Sequence, residues 1–238
     1  MSFGFQGSIF CCLVYCTFHS FYVAYMIKIQ GKLDRNIFVA CSGGVDSMAI
    51  VDFLSRHHNV TLLFFDHGTE TSREAKDFLT QFIQERNCIF HENPNATKMD
   101  LISGEIQREK FKTESQEEYW RNQRYEFFHS FGDQKIISCH HLDDCVETWI
   151  FSSMNGEGKI IPYNNRNVIR PFRMNRKVEF INWCRRKNVP WIEDESNSDT
   201  KYMRNFIRHE LMPKTLVINP GIHKVIAKKV EADEPETS

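Results

Sequence analysis

"VACSGGVDSMAIVDFL", residues 39–54, decides the fold. An apolar run ends at Cys41, the turn Ser42-Gly43-Gly44-Val45-Asp46-Ser47 follows, and Met48, Val51 and Leu54 then recur at helical spacing. A strand therefore passes through a glycine-bearing turn directly into a helix. Two adjacent glycines let the backbone curl and leave no Cβ in the way of an approaching oxygen. Loop amides backed by a helix N-terminus attract a polyanion, and Ser42 and Ser47 add hydroxyl donors. The turn lacks the lysine of G-x-x-x-x-G-K-[ST] and the spacing of G-x-G-x-x-G, which disfavours a Walker-type ATPase and weakens a dinucleotide reading. Asp46 beside phosphates is unfavourable unless a cation bridges them, which points to Mg²⁺. A tight strand-to-helix turn with a capping serine accounts for the same residues without a ligand.

Outward from this turn, strands are expected at 37–41, 60–66, 88–91 and 135–139. Helices are expected at 47–57, 71–86, 115–131 and 143–154, with 93–113 as loop or weak helix. This alternation implies an α/β fold built on a doubly wound, mainly parallel sheet. Ligands of such sheets bind outside the carboxyl ends of the strands. Ser42, Asp66, His67, His140 and His141 all fall there, and core packing explains none of these polar positions. Beyond residue 155 the texture changes to a loop, a short extended piece at 168–172, a basic helix at 176–188, an acidic loop at 193–199 and a helix at 200–212. The expected division is 1–25 as an apolar extension, 26–155 as the nucleotide-binding core, 156–215 as a basic extension and 216–238 as a partly disordered tail, acidic from Glu231.

The 238 residues suit one sizeable domain, and a formal net charge of −1 names no partner. Its distribution says more: residues 159–187 hold nine Lys or Arg and one acid, Glu179, whereas 66–118 lean acidic. That asymmetry fits a polyanion on one face, or simply a solvated basic face. The eight cysteines form no C-x-x-C pair, which favours reduced thiols and a cytoplasmic location. Cys139, His140, His141 and Cys145 do not have a usual zinc spacing. "SIFCCLVYCTFHSFYVAYMI" (8–27) is long enough for a bilayer but lacks a basic n-region and a cleavage site. An extension ahead of a functional start near Met26, without stable membrane association, is preferred over an anchor.

Further stretches narrow the reading. "FFDHGTETSREAKDFL", "EEYWRNQRYEFF", "SCHHLDDCVET", "IRPF", "WIEDESNSDTKYMRNFIR" and "LMP" follow the glycine loop in order. Over residues 34–213 the chain resembles the tRNA(Ile)-lysidine synthetases, within the N-type ATP pyrophosphatases of the PP-loop superfamily. The resemblance implies an adenine nucleotide α-hydrolase-like fold with a short helical C-terminal extension. It implies a ligase that uses ATP to adenylate the C2 carbonyl oxygen of the wobble cytidine of tRNA(Ile), releasing pyrophosphate, and then joins free L-lysine to C2, releasing AMP. ATP and Mg²⁺ are the expected cofactors and the tRNA anticodon loop the expected partner; a homodimer is possible.

Residue by residue, Ser42, Gly43, Gly44, Val45, Asp46, Ser47, Asp66, His67 and His140 are expected at the nucleotide, with Asp46 and Asp144 at Mg²⁺. Asp46, Asp144, Glu147 and Arg204 are expected at the chemistry, and Asp143, Glu147, Arg170, Asn205 and Arg208 at the substrates. An acid cluster satisfying a helix dipole is the lesser reading of Asp143, Asp144 and Glu147, and salt bridges to Glu193–Glu195 are the lesser reading of Arg204 and Arg208. The chain departs from the family at Asn155-Gly156-Glu157-Gly158, where Arg-Gly-small-Gly is common, at Cys145 in place of Gln, and in its short C-terminal part. Thiolation of tRNA by another PP-loop enzyme, or a catalytically reduced tRNA-binding remnant, are the alternatives.

Overall fold

The structure, a computed structural model, describes residues 27–92, 97–193 and 199–233. The apolar stretch at 8–26, the loop at 194–198 and the last five residues lie outside the described residues.

Six strands form one sheet: β1 (Asn36–Ala40), β2 (Asn59–Asp66), β3 (Met99–Glu105), β4 (Ile136–Ile137), β5 (Asn164–Asn165) and β6 (Val168–Ile169). Their order is β3-β2-β1-β4-β6-β5, and every pairing is parallel except β5 with β6. The order reverses between β1 and β4, so the crevice of this doubly wound sheet opens where those two strands end.

The helices are α1 (Val45–Leu54), α2 (Glu70–Glu92), α3 (Gln116–His129), α4 (Leu142–Met154), α5 (Lys177–Lys187), α6 (Met203–Phe206), α7 (Met212–Ile218) and α8 (Ile222–Ala232). A π-helical turn, Ile207–Leu211, joins α6 to α7. Strand alternation sorts the core. Ile37, Val39, Val60, Leu62 and Phe64 pack with α1, α2 and α5 on one face, while Phe38, Ala40 and Leu63 pack with α3 on the other. A third cluster is mainly helical, with Cys145, Val146 and Ile150 of α4 against Ile207, Met212, Ile226 and Val230, joined by Ile161 from the loop after α4.

Two expectations fail in the same region. Residues 88–91 are the end of α2 rather than a strand, and the third strand is β3, inside the segment read as loop or weak helix. β3 is an edge strand with exposed Asp100 and a glycine, so its apolar alternation is faint. Gly104 is required there: a Cβ would stand 2.5 Å from the Phe127 ring of α3.

Within the stretch read as a tail, α8 packs Ile222, Ile226 and Val230 inward. Asp233 then accepts hydrogen bonds from buried Arg173 (2.6 Å) and from the Tyr163 amide (2.8 Å). The basic stretch is likewise less of a surface than its composition suggests, because Arg170, Arg173, Tyr163 and Phe172 are all buried.

Candidate active site

The glycine turn sits at the β1 end of the crevice. Gly43 has φ +82°, a conformation that favours glycine, and a Cβ there would meet Ile192 at 3.0 Å. The Ile192 amide donates to the Gly43 carbonyl (3.0 Å), so the segment after α5 braces the turn from behind. Gly44 caps α1 with extended backbone and no side-chain hydrogen bond, which leaves the first-turn amides facing the crevice. Ser47 is tied back to the Gly44 carbonyl (2.9 Å).

Asp46 lies on that first turn. Its Oδ2 faces His141 Nε2 (3.6 Å) and Lys177 Nζ (3.5 Å), while its buried Oδ1 has no hydrogen-bond partner. An orphaned carboxylate oxygen beside a phosphate cradle fits Mg²⁺, which takes one or two protein carboxylates and completes its shell with phosphates and water. Asp144 is less free, since both its oxygens are engaged.

At the end of β4, His141 caps α4. The Asp144 amide donates to His141 Nδ1 (3.3 Å) and the His141 amide donates to Asp144 Oδ2 (3.0 Å). Burial opposes a charged His141, but Asp144, Asp46 and Asp143 outweigh it and raise its pKa above the ordinary value. Burial likewise opposes the Asp144 carboxylate, and His141 and Arg204 hold its pKa well below the usual range.

Asp144 and Glu147, one turn apart on α4, are both buried and meet two arginines four residues apart. Arg204 donates to Asp144 Oδ1 (2.7 Å) and Glu147 Oε2 (3.1 Å). Arg208 donates to Glu147 Oε1 (2.8 Å) and Oε2 (3.1 Å), and to Asp144 Oδ1 (3.4 Å). These four charges form one closed network, and the nearby carboxylates raise the pKa of both arginines against the partial desolvation that opposes it. Among the described residues, the salt bridges of Arg204 and Arg208 are made to α4, not to the acidic loop.

The other residues singled out divide into two groups. His67 and His140 line the crevice as neutral imidazoles. Burial, with Arg124 second, takes His67 down to about 4, and burial takes His140 down to about 3. Asp66 accepts from the Gly68 amide (2.7 Å) and shapes the turn after β2.

Asp143, Arg170 and Asn205 are occupied with structure. Asp143 accepts from the Lys177 amide (2.8 Å) and pairs with Arg176 and His223, joining α4 to α5 and α8. Arg170 donates to the Pro162 carbonyl and the Tyr125 hydroxyl. Asn205 donates to the Asp199 carbonyl.

Two cations were not singled out in the sequence. Lys177 begins α5 and reaches Asp46. Arg124 lies near His67, His140 and Arg204 and has no ion pair among the described residues. Lys177 belongs to the basic helix noted above, but only its position opposite the glycine turn distinguishes it from its neighbours.

A doubly wound sheet whose glycine turn and α1 N-terminus open on a cluster of buried carboxylates and arginines defines a nucleotide-binding α/β protein. The chain belongs to the PP-loop domain family, whose model matches residues 19–215. It is 30% identical over 210 residues to the tRNA(Ile)-lysidine synthase of Thermotoga sp. (strain RQ2), an alignment covering 82% of this chain and 49% of that one. With the tRNA(Ile)-lysidine synthase of Staphylococcus aureus (strain MRSA252) it shares 29% over 199 residues, covering 76% and 44%. The chain thus spans about half the length of the curated relatives it matches. Its fold is also that of a U34-tRNA thiolase from Methanococcus maripaludis, with TM-score 0.63 and 12% identity over 84% of this chain and 73% of that one.

Proposed function

We propose that the chain joins lysine to C2 of the wobble cytidine of tRNA(Ile) with a CAU anticodon, through an adenylated tRNA, giving lysidine, AMP and pyrophosphate. The carrying observation is the pairing of a phosphate cradle at Gly43–Ser47 with a two-carboxylate seat at Asp144 and Glu147 in one crevice. The first half suits attack of the cytidine O2 on the α-phosphorus of ATP. Charge then builds on the departing pyrophosphate, where loop amides and the α1 N-terminus stabilise it. Asp46 is the residue to hold Mg²⁺, which neutralises phosphate charge when bound. Lys177 and Arg124 add positive charge on the same side.

The second half suits an amine substrate. A lysine ammonium is not nucleophilic until it loses a proton, and a carboxylate beside it both binds it and helps remove that proton. Glu147 is assigned this role, with Asp144 nearer the phosphates. Residues 26–155 supply the nucleotide side and 156–215 complete the site through Lys177, Arg204 and Arg208. The reading places the protein in the cytoplasm; no helix among the described residues is long and apolar enough to cross a membrane.

Thiolation is the second reading, and four of the thiols among the described residues, three of them buried, speak against it. Burial raises Cys41, raises Cys139 strongly, and pushes Cys145 and Cys184 up to about 12, which suits packing rather than sulfur transfer. Incubation with ATP, Mg²⁺, radiolabelled lysine and total tRNA tests the proposal. Label should enter tRNA only with ATP present; its absence under conditions where the protein still binds ATP overturns the reading.

A further inference from the structure

We propose that Arg204 and Arg208 gate the amine seat, and that nucleotide phosphate opens it by drawing the arginines off Glu147, so that lysine binds after ATP. This rests on the lysine reading of the site and adds an order to it.

The closed network is the starting point. Glu147 is 3% exposed, and three guanidinium N–H groups occupy its two oxygens. Two carboxylates and two guanidiniums sum to zero. An ammonium entering such a cluster gives up its hydration without net attraction in return. The arginines and the lysine ammonium therefore compete for the same charge.

Removing the arginines with nothing in their place would leave two buried carboxylates one turn apart, which is equally unfavourable. The arginines need a better anionic partner, and the seat needs an incoming cation. A polyphosphate in the cradle supplies the first, because guanidinium forks pair bidentately with phosphate. Lysine supplies the second.

The element carrying the arginines is built to move. Their side chains lie between the carboxylates and solvent, at 43% and 23% exposure. No residue of α6 is buried, so little packing holds Arg204 in place. Arg208 sits within the π-helical turn, a local departure from helical geometry that recurs at functional sites. Coupling of this kind is reciprocal: whatever factor nucleotide adds to lysine affinity, lysine adds to nucleotide affinity.

Equilibrium dialysis of radiolabelled lysine against the full chain tests this, with and without Mg²⁺ and a non-hydrolysable α,β-methylene ATP analogue. The analogue should tighten lysine binding on the order of tenfold or more. Lysine should tighten analogue binding by the same factor. Arg208→Gln should bind lysine without nucleotide and lose most of the coupling. Arg208→Lys, which keeps the charge without the fork, should fall between. The two wild-type arms need no variant, so a misfolded variant does not remove the test.

Equal lysine affinity with and without the analogue overturns the gate, as does an Arg208→Gln protein, folded by its melting curve, that keeps the full dependence. No lysine binding in either state, while the complete reaction still transfers lysine to tRNA, also overturns it and leaves the lysine reading standing. No binding and no transfer removes both.

Discussion

On the proposed reading, Glu147 is the residue on which the two halves of the chemistry separate. Glu147→Gln keeps the size of the side chain but replaces one oxygen that accepts from the arginines by an NH2 group that cannot, and it removes the charge proposed to seat an ammonium. It should raise the lysine KM by roughly 10²-fold and spare tRNA-dependent pyrophosphate release, since loss of a charged contact is worth a few kcal/mol. Comparing pyrophosphate release with lysine incorporation checks it, and equal loss of both would mean that Asp144 and Glu147 act as one site. The imidazoles give a second residue-scale expectation. His67 titrates near 4 in the folded chain, against about 6.5 when unfolded. The unfolded state then binds more protons between those values, so stability falls as pH drops through that window. Melting temperatures from pH 7 to 4 should fall, and His67→Gln should flatten part of the slope. The sequence displayed the chemical types at these positions because polar residues at strand ends have no packing explanation. It could not display their partners, since Arg204 meets Asp144 across 60 positions that only the fold brings together.

At the scale of elements, the helix-rich parts of the pattern were readable and the weak edge was not. α1, α3, α4 and α5 fall close to where apolar spacing and polar starts put them. β3 was hidden because an edge strand with one neighbour and one exposed face needs little apolar alternation, and because α2 continues past the point where its stripe was read to end. Gly104 was the overlooked signal. Gly104→Ala should destabilise by about 1–3 kcal/mol, because the new Cβ overlaps the Phe127 ring, and Phe127→Leu should recover part of that loss. Denaturant midpoints of the two single variants and the double variant decide it; an additive result would show that the ring is not the obstacle. α8 was missed because its four buried positions, Ile222, His223, Ile226 and Val230, lie among lysines near an acidic end. Its docking leaves buried Arg173 reliant on Asp233 for charge. Asp233 is 43% exposed, so Asp233→Asn should destabilise by only about 1–3 kcal/mol, seen as a melting temperature lower by several degrees.

For the whole molecule, the glycine turn and the Asp144–Glu147–Arg204–Arg208 network share one crevice at the reversal of strand order, and the pieces that build it come from β1, β4, α4, α5 and α6. Lys28 and Gln30 bond to Asn175 and the Pro171 carbonyl, so the described chain is anchored from its first few residues. A protein starting at Met26 should therefore keep full activity; loss of lysine transfer by a folded Met26–Ser238 protein would mean that residues 1–25 contribute to the site. The proposed reaction stands or falls on where the lysine goes. Its most direct measurement is mass spectrometry of nucleosides from a tRNA(Ile) transcript with a CAU anticodon, treated with the protein, ATP, Mg²⁺ and lysine. One cytidine, at the wobble position, should be heavier by a lysine residue, with AMP and pyrophosphate formed in equal amounts. An unmodified wobble cytidine, or a sulfur-containing nucleoside formed when a sulfur donor is supplied, would contradict it.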